Sequence, residues 1–221
     1  MSNTKETANE FTSIEEIARL NSVDKQQHGY IPVYSQLFEP IRFSQLSILE
    51  IGFRRGRGAR FLAEYFHRSR INCLEIDTGF SQAYLDIMPD DIKNRIRLWQ
   101  CDQSDQASLD LALAYIQGNK YYTPFDIVID DGSHVPAHQL LSFKTIWPLL
   151  PSGAYYVIED MHPFYENGAH PTVEYFKGEA DKLNKMGDIY ETDKKWGDSE
   201  FEFIMFTLNR IIVRRKINAQ K

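Results

Sequence analysis

From residue 46 onward, hydrophobic and polar positions follow two alternating rhythms. Short apolar runs rich in β-branched and aromatic residues fall at 46–51, 71–76, 95–101, 125–130 and 154–158. Each has the length and composition of a strand buried on both faces of a parallel sheet. Between them apolar residues recur at helical spacing: Phe61, Leu62, Tyr65 and Phe66 within 57–67, then 82–88 ended by Pro89, 107–116 stopped by Gly118, and 136–147. Pro136 suits a first helical turn, where its missing N–H costs nothing. The βαβα repetition predicts an α/β protein with a Rossmann-like, doubly wound sheet of five parallel strands. Two further strand-like runs, 201–207 and 211–216, stand either side of Leu208-Asn209-Arg210 and predict a C-terminal antiparallel hairpin.

The flanking regions differ in texture. Residues 1–10 are polar and read as disordered, after which Ser13 and Glu16 form a capping-box signature for a short helix through Leu20. Asp24-Lys25, His28-Gly29-Tyr30, Tyr34 and Phe38 follow, a segment that suits either a strap packed on the sheet edge or an aromatic lid with a glycine hinge. We therefore divide the chain into an N-terminal helix and lid-like segment, 1–45, and a main domain, 46–221. Within the latter, 161–199 is polar, aromatic and turn-rich, with a helix expected near 173–185. Long insertions beside a site tend to carry specificity, so Phe164, Tyr165, Tyr175 and Trp196 are expected to shape a binding pocket.

Composition narrows the classes. At 221 residues, 43% hydrophobic and 13% aromatic, the chain can bury a sizeable core. A net charge of −6 offers no basic field for a phosphate backbone, so no nucleic-acid partner is expected. No signal-peptide pattern and no run of apolar residues long enough for a membrane span occurs, so a cytoplasmic protein without a membrane partner is expected. Cys73 and Cys101 lie in strand-like segments without metal-ligand spacing and read as buried free thiols.

The chemistry gathers where strands end. Strand one runs into Glu50-Ile51-Gly52-Phe53-Arg54-Arg55-Gly56-Arg57-Gly58. Such a loop lets backbone approach a ligand, and the helix it opens offers N–H groups to an anion. Its glycines are spaced by four and then two, which is not the Gly-x-Gly-x-x-Gly of dinucleotide enzymes. Glu50 instead suits a ligand carrying an ammonium group. Arg54, Arg55 and Arg57 are expected to face solvent, although they are able to bind an anionic substrate group. Strand two ends at Glu75-Ile76-Asp77, where Rossmann-like folds hold ribose hydroxyls, and strand three at Asp102-Gln103, able to meet an adenine edge. Any one of these acids is accounted for as a solvated strand terminus; several in succession at one sheet edge are not.

Strand four breaks into Asp130-Asp131-Gly132-Ser133-His134 and strand five into Glu159-Asp160. A turn and a helix cap would explain the first group alone. Adjacent strands lie roughly 4.8 Å apart, and carboxylates so clustered repel unless a cation sits among them. Hard oxygen ligands without cysteine favour Mg²⁺ or a similar divalent ion, with an uncharged hydrogen-bond network as the alternative. Side chains alternate along a strand, so only one of Asp130 and Asp131 needs to be a ligand. His134, near a helix N-terminus, is placed to act as a base; a capping or core histidine is the plainer reading, as it is for His138 and His162.

Leu49-Glu50-Ile51-Gly52, Cys101-Asp102-Gln103-Ser104-Asp105, the run Ile129 through His134 and Tyr156-Val157-Ile158-Glu159-Asp160-Met161-His162 resemble the class I S-adenosylmethionine-dependent O-methyltransferases that act on sugar hydroxyls of macrolides and related natural products, the mycinamicin type. The resemblance covers roughly residues 24–216 and is most specific in Ile129 through His134 paired with Glu159-Asp160. It implies the class I methyltransferase fold, with S-adenosylmethionine and Mg²⁺ as cofactors. It further implies Asp131, Glu159 and Asp160 as metal ligands, His134 as general base, and Glu50, Gly52, Glu75, Asp102 and Gln103 as cofactor contacts. Gly56 and Gly58 of the loop and a cofactor-side Asp130 complete the expected cofactor set. A more distant similarity to catechol O-methyltransferases favours Asp131 over Asp130, because the base there also lies three residues after a ligand. The implied partner is a glycosylated, hydroxylated small molecule, and a homo-oligomer is admitted. Two departures stand out: longer members carry an additional N-terminal domain, and this chain has arginines where the loop usually has small residues. A catechol-type methyltransferase, a dinucleotide-dependent oxidoreductase and a non-catalytic nucleotide-binding module are the competing readings.

Overall fold

The computed structural model describes residues 12–165, 169–183 and 199–217; the polar stretch 1–10 and Trp196 lie outside them. The chain resolves into two compact units, Met1–Asp102 and Gln103–Lys221.

The first unit opens with α1 (Ile14–Asn21). Ser13 Oγ caps it by accepting the Glu16 N–H at 3.3 Å, but Glu16 pairs with Arg19 instead of reaching back, so only half of the capping box forms. Ile14, Ile17 and Ala18, at helical spacing, are buried. Asn21 at its end donates to the buried Glu64 at 2.6 Å. The strap-like segment holds a helix the pattern did not predict, α2 (Ile31–Phe38), started by Pro32 within its first turn. Tyr30, Tyr34 and Phe38 are each about fully buried, with Phe38 edge-on to Phe66 at 5.8 Å.

Then come β1 (Ser47–Ile51), α3 (Arg57–Tyr65), β2 (Arg70–Glu75), α4 (Thr78–Asp86), α5 (Asp90–Lys93) and β3 (Ile96–Gln100). The three strands are parallel, in the order β3-β2-β1. Every residue of β1 is buried, as a continuous apolar run requires of a two-sided strand. Helix α4 begins four residues before the predicted start because Asp77 caps it, accepting the Phe80 N–H at 2.9 Å. The four-residue α5, enclosed between Pro89 and Asn94, carries too short a pattern to show in the hydrophobic rhythm.

The second unit contains α6 (Gln106–Gln117), β4 (Ile127–Asp130), α7 (Pro136–Ile146), β5 (Tyr155–Ile158), α8 (Pro171–Leu183), β6 (Phe201–Thr207) and β7 (Arg210–Arg215). Its strand order is β4-β5-β7-β6, with β4 and β5 parallel and the last two antiparallel. Asp105 caps α6 through the N–H groups of both Ala107 and Ser108, at 3.2 Å each. Aromatic packing sets the core: the Phe143 ring of α7 meets Phe176 of α8 at 4.8 Å and Tyr156 of β5 at 5.1 Å, and Trp147 stacks on Phe201 at 4.8 Å. Burying one such ring contributes about 1.5–3 kcal/mol. Leu208 and Asn209 turn the hairpin, with Asn209 in the left-handed region at φ 60°, and Ile158 at the end of β5 lies opposite Ile211.

Candidate active site

In the first unit the loop after β1 is built around two carboxylates. Glu50, buried at the strand end, lies under Gly58, where any Cβ would overlap its Oε1. A side chain at that position would force the Glu50 carboxylate to move. Gly52 and Gly56 take φ values of 91° and 70°, which side chains rarely adopt. The Cys73 thiol rests 3.9 Å from Glu50 Oε2, and burial pushes its pKa well up, so it stays protonated. Glu75, at the end of β2, accepts the Phe53 and Arg54 N–H groups at 2.9 and 2.6 Å and the Asp77 N–H at 3.0 Å. Its carboxylate thus holds the glycine loop in shape. Asp102, just past β3, is half-buried, and Arg54, Arg55 and Arg57 are exposed as expected.

In the second unit, the ends of the paired strands β4 and β5 carry the acids. Asp130 is fully buried; Gln103 Nε2 donates to both its oxygens, at 2.7 and 2.8 Å. Desolvation pushes its carboxyl up to about 7, against those hydrogen bonds. The other end of the Gln103 amide accepts the Ser133 N–H at 2.9 Å, so one buried side chain ties Asp130 to the turn behind His134. One residue on, Asp131 leaves the strand, and its carboxylate, that of Asp160 and the His134 imidazole each place an atom within 4.8 Å of one another. His134 Nε2 stands 3.7 Å from Asp160 Oδ2. The carboxylates of Asp131, half-buried, and Asp160, buried, are hard oxygen donors that fit a divalent cation, with the His134 imidazole beside them. Glu159 is not in this group: it is buried, its N–H donates to the Asp130 carbonyl at 3.0 Å and its own carbonyl accepts from Gln139 at 3.2 Å.

Backbone strain concentrates here. His134 and Asp160 have φ of 61° and 56°, a cost of order 1–3 kcal/mol each that the surroundings must enforce. One enforcing contact is Asn209, whose amide donates to Asp160 Oδ1 at 3.1 Å and accepts the His162 N–H at 2.6 Å. Sequence reasoning read Asn209 only as part of a hairpin turn; no local signal marks it as a neighbour of residues some fifty positions earlier. His138 Nδ1 pairs with Ser133 Oγ at 2.9 Å, a structural role. Tyr175 packs on Phe143 and beneath Lys144 within the fold, while Tyr165 is exposed beside His170.

The seven strands, five of them alternating with helices and the last two antiparallel, together with acids ending successive strands, define the class I methyltransferase fold. A methyltransferase-domain family model matches residues 49–161, and the chain belongs to that family. It is 35% identical over 167 residues to the mycinamicin VI 2''-O-methyltransferase of Micromonospora griseorubida, covering 72% of this chain and 36% of that protein. An 8-demethyl-8-alpha-L-rhamnosyl tetracenomycin-C 2'-O-methyltransferase of Streptomyces olivaceus is 34% identical over 146 residues, 62% of this chain and 34% of its own. The chain thus spans little more than a third of the length of these curated relatives. Among solved structures, the MycE methyltransferase of the mycinamycin biosynthetic pathway, in complex with Mg and SAH, superposes with a TM-score of 0.71 at 26% identity, over 96% of this chain and 56% of that one. The same enzyme with Mg, SAH and mycinamycin VI gives 0.70 over 93% and 54%.

Proposed function

We propose that this domain transfers a methyl group from S-adenosylmethionine to a sugar hydroxyl of a glycosylated natural product, with a divalent cation such as Mg²⁺ at the acids ending β4 and β5. The observation that carries this reading is the convergence of Asp131, His134 and Asp160 within 4.8 Å, in a member of a family whose relatives include sugar O-methyltransferases. Asp131 and Asp160 would hold the cation; Glu159, expected as a third ligand, is one residue from Asp160 but outside the group within 4.8 Å, and would join only by turning toward it. Bound there, the cation supplies Lewis acidity, lowering the pKa of an acceptor hydroxyl that reaches it. His134 takes the hydroxyl proton at Nε2, the ring atom that faces Asp160. Gln103 and Asp130 brace the turn that carries His134, so that the base is held in place without a conformational search.

For the cofactor, we assign Glu50, Gly52, Gly56, Gly58, Glu75 and Asp102; Gln103 and Asp130, also expected as cofactor contacts, are bonded to each other and we assign them to bracing instead. A buried carboxylate at Glu50, beside the loop backbone at Gly58, suits a ligand presenting an ammonium group. Family membership favours methyl transfer over the dinucleotide and non-catalytic readings. The buried free thiols Cys73 and Cys101 fit a reducing compartment such as the cytoplasm. Among the described residues no helix is long and apolar enough to cross a membrane.

The test is calorimetric titration of S-adenosylmethionine and of NAD, with and without Mg²⁺, followed by methyl-transfer assays on rhamnosylated and macrolide glycosides. Binding of S-adenosylmethionine and Mg²⁺-dependent methylation of a sugar hydroxyl are expected. Failure to bind S-adenosylmethionine under either condition removes the reading.

A further inference from the structure

We infer that Asn209, at the turn between β6 and β7, is a positioning residue that presents Asp160 to the cation, an inference that rests on the metal reading above. Satisfying the hydrogen bonds fixes the orientation of its amide. The His162 N–H can only donate, so the atom 2.6 Å from it must be Oδ1. The opposite end, Nδ2, then carries two hydrogens and meets two acceptors, Asp160 Oδ1 at 3.1 Å and His162 Nδ1 at 2.8 Å. A fourth contact comes from the backbone, where the Met161 N–H donates to the Asn209 carbonyl at 3.1 Å. Three successive residues after β5 are in this way fastened to one side chain and its own peptide.

The consequence for Asp160 is directional. With Oδ1 engaged by the amide, Oδ2 is the oxygen turned toward His134 Nε2, at 3.7 Å. The residue also sits at φ 56°, a conformation that even an aspartate adopts only occasionally, and the Asn209 contacts to Asp160 and to the two residues after it supply a constraint. Groups that orient a metal ligand in this manner commonly change metal affinity by 10–100-fold when removed.

The plainer account of Asn209 is that a hairpin turn at φ 60° favours asparagine for its backbone alone. Asn209→Gly separates the two, because glycine satisfies that backbone at least as well and carries no amide. The experiment measures Mn²⁺ binding by electron paramagnetic resonance, alongside S-adenosylmethionine affinity and thermal melting, for the unaltered chain and for Asn209→Gly. Mn²⁺ affinity is expected to fall by about 10–100-fold while S-adenosylmethionine affinity and the melting temperature stay close to those of the unaltered chain. Unchanged Mn²⁺ affinity overturns the inference, and so does a loss matched by parallel losses of cofactor binding and melting, which would mark a purely structural residue. If the unaltered chain itself binds no Mn²⁺, the metal reading fails, and this inference with it.

Discussion

Asp130 and Asp131 are neighbours in sequence and opposites in environment. The first ends β4 inside the fold, where it is desolvated and held by Gln103; the second has left the strand and joins His134 and Asp160. Their fates under mutation should differ accordingly. Asp131→Ala is expected to weaken Mn²⁺ binding by more than about 100-fold with an unchanged melting curve; full affinity in that variant would remove Asp131 from the ligands. For Asp130 the expectation concerns pH. Its folded pKa of about 7 lies above the ordinary 3.8, so the folded state binds this proton more tightly than the unfolded chain does. The penalty of ionising it is absent below about pH 4, grows as pH rises and is complete above about pH 7, reaching roughly 4 kcal/mol. Asp130→Asn cannot ionise, so in chelator-treated protein its urea-unfolding stability should fall less between pH 5 and pH 8 than that of the parent. Equal losses would show that Asp130 is ionised in the fold at little cost.

At the scale of elements, the glycine loop depends on contacts that its spacing does not reveal. The four-then-two pattern excludes a dinucleotide fingerprint, but only the fold shows that Glu50 occupies the space where a side chain at position 58 would go. Gly58→Ala gains helix propensity of up to about 1 kcal/mol, whereas overlap with a buried carboxylate costs typically about 1–3 kcal/mol. The overlap should win: urea unfolding is expected to show destabilisation, and calorimetry a weaker S-adenosylmethionine affinity. A variant as stable and as tight-binding as the parent would mean that Glu50 moves aside freely. The strap segment teaches a related lesson. Its aromatics were legible as a strap or a lid; Tyr30, Tyr34 and Phe38, four residues apart and all buried, also share one face of α2, but an eight-residue helix repeats that spacing over only two turns, too short a run to stand out from an irregular strap.

For the molecule as a whole, a cation and a cofactor that bind the folded chain alone must stabilise it. Saturation at a hundred times the dissociation constant corresponds to about 2.7 kcal/mol, so melting temperature should rise with Mg²⁺ and separately with S-adenosylmethionine, and the Mg²⁺ increment should vanish in Asp131→Ala. A Mg²⁺ increment that persists there would point to a cation held elsewhere. The sequence by itself determined the succession of the seven strands and of the longer helices between them, though not α2 or α5, and the strand ends at which the acids fall, because burial on both faces writes continuous apolar runs and chemistry interrupts them abruptly. It also singled out Asp131, His134 and Asp160 as candidates. What only the tertiary structure decided is which atoms meet: that Glu75 holds a loop from the preceding strand, that Gln103 is spent on Asp130 and Ser133, that Glu159 stands apart from the triad, and that Asn209 reaches Asp160. Those contacts join residues about 20 to 50 positions apart, and local patterning carries no record of pairings that arise only when strands align and loops turn back on them.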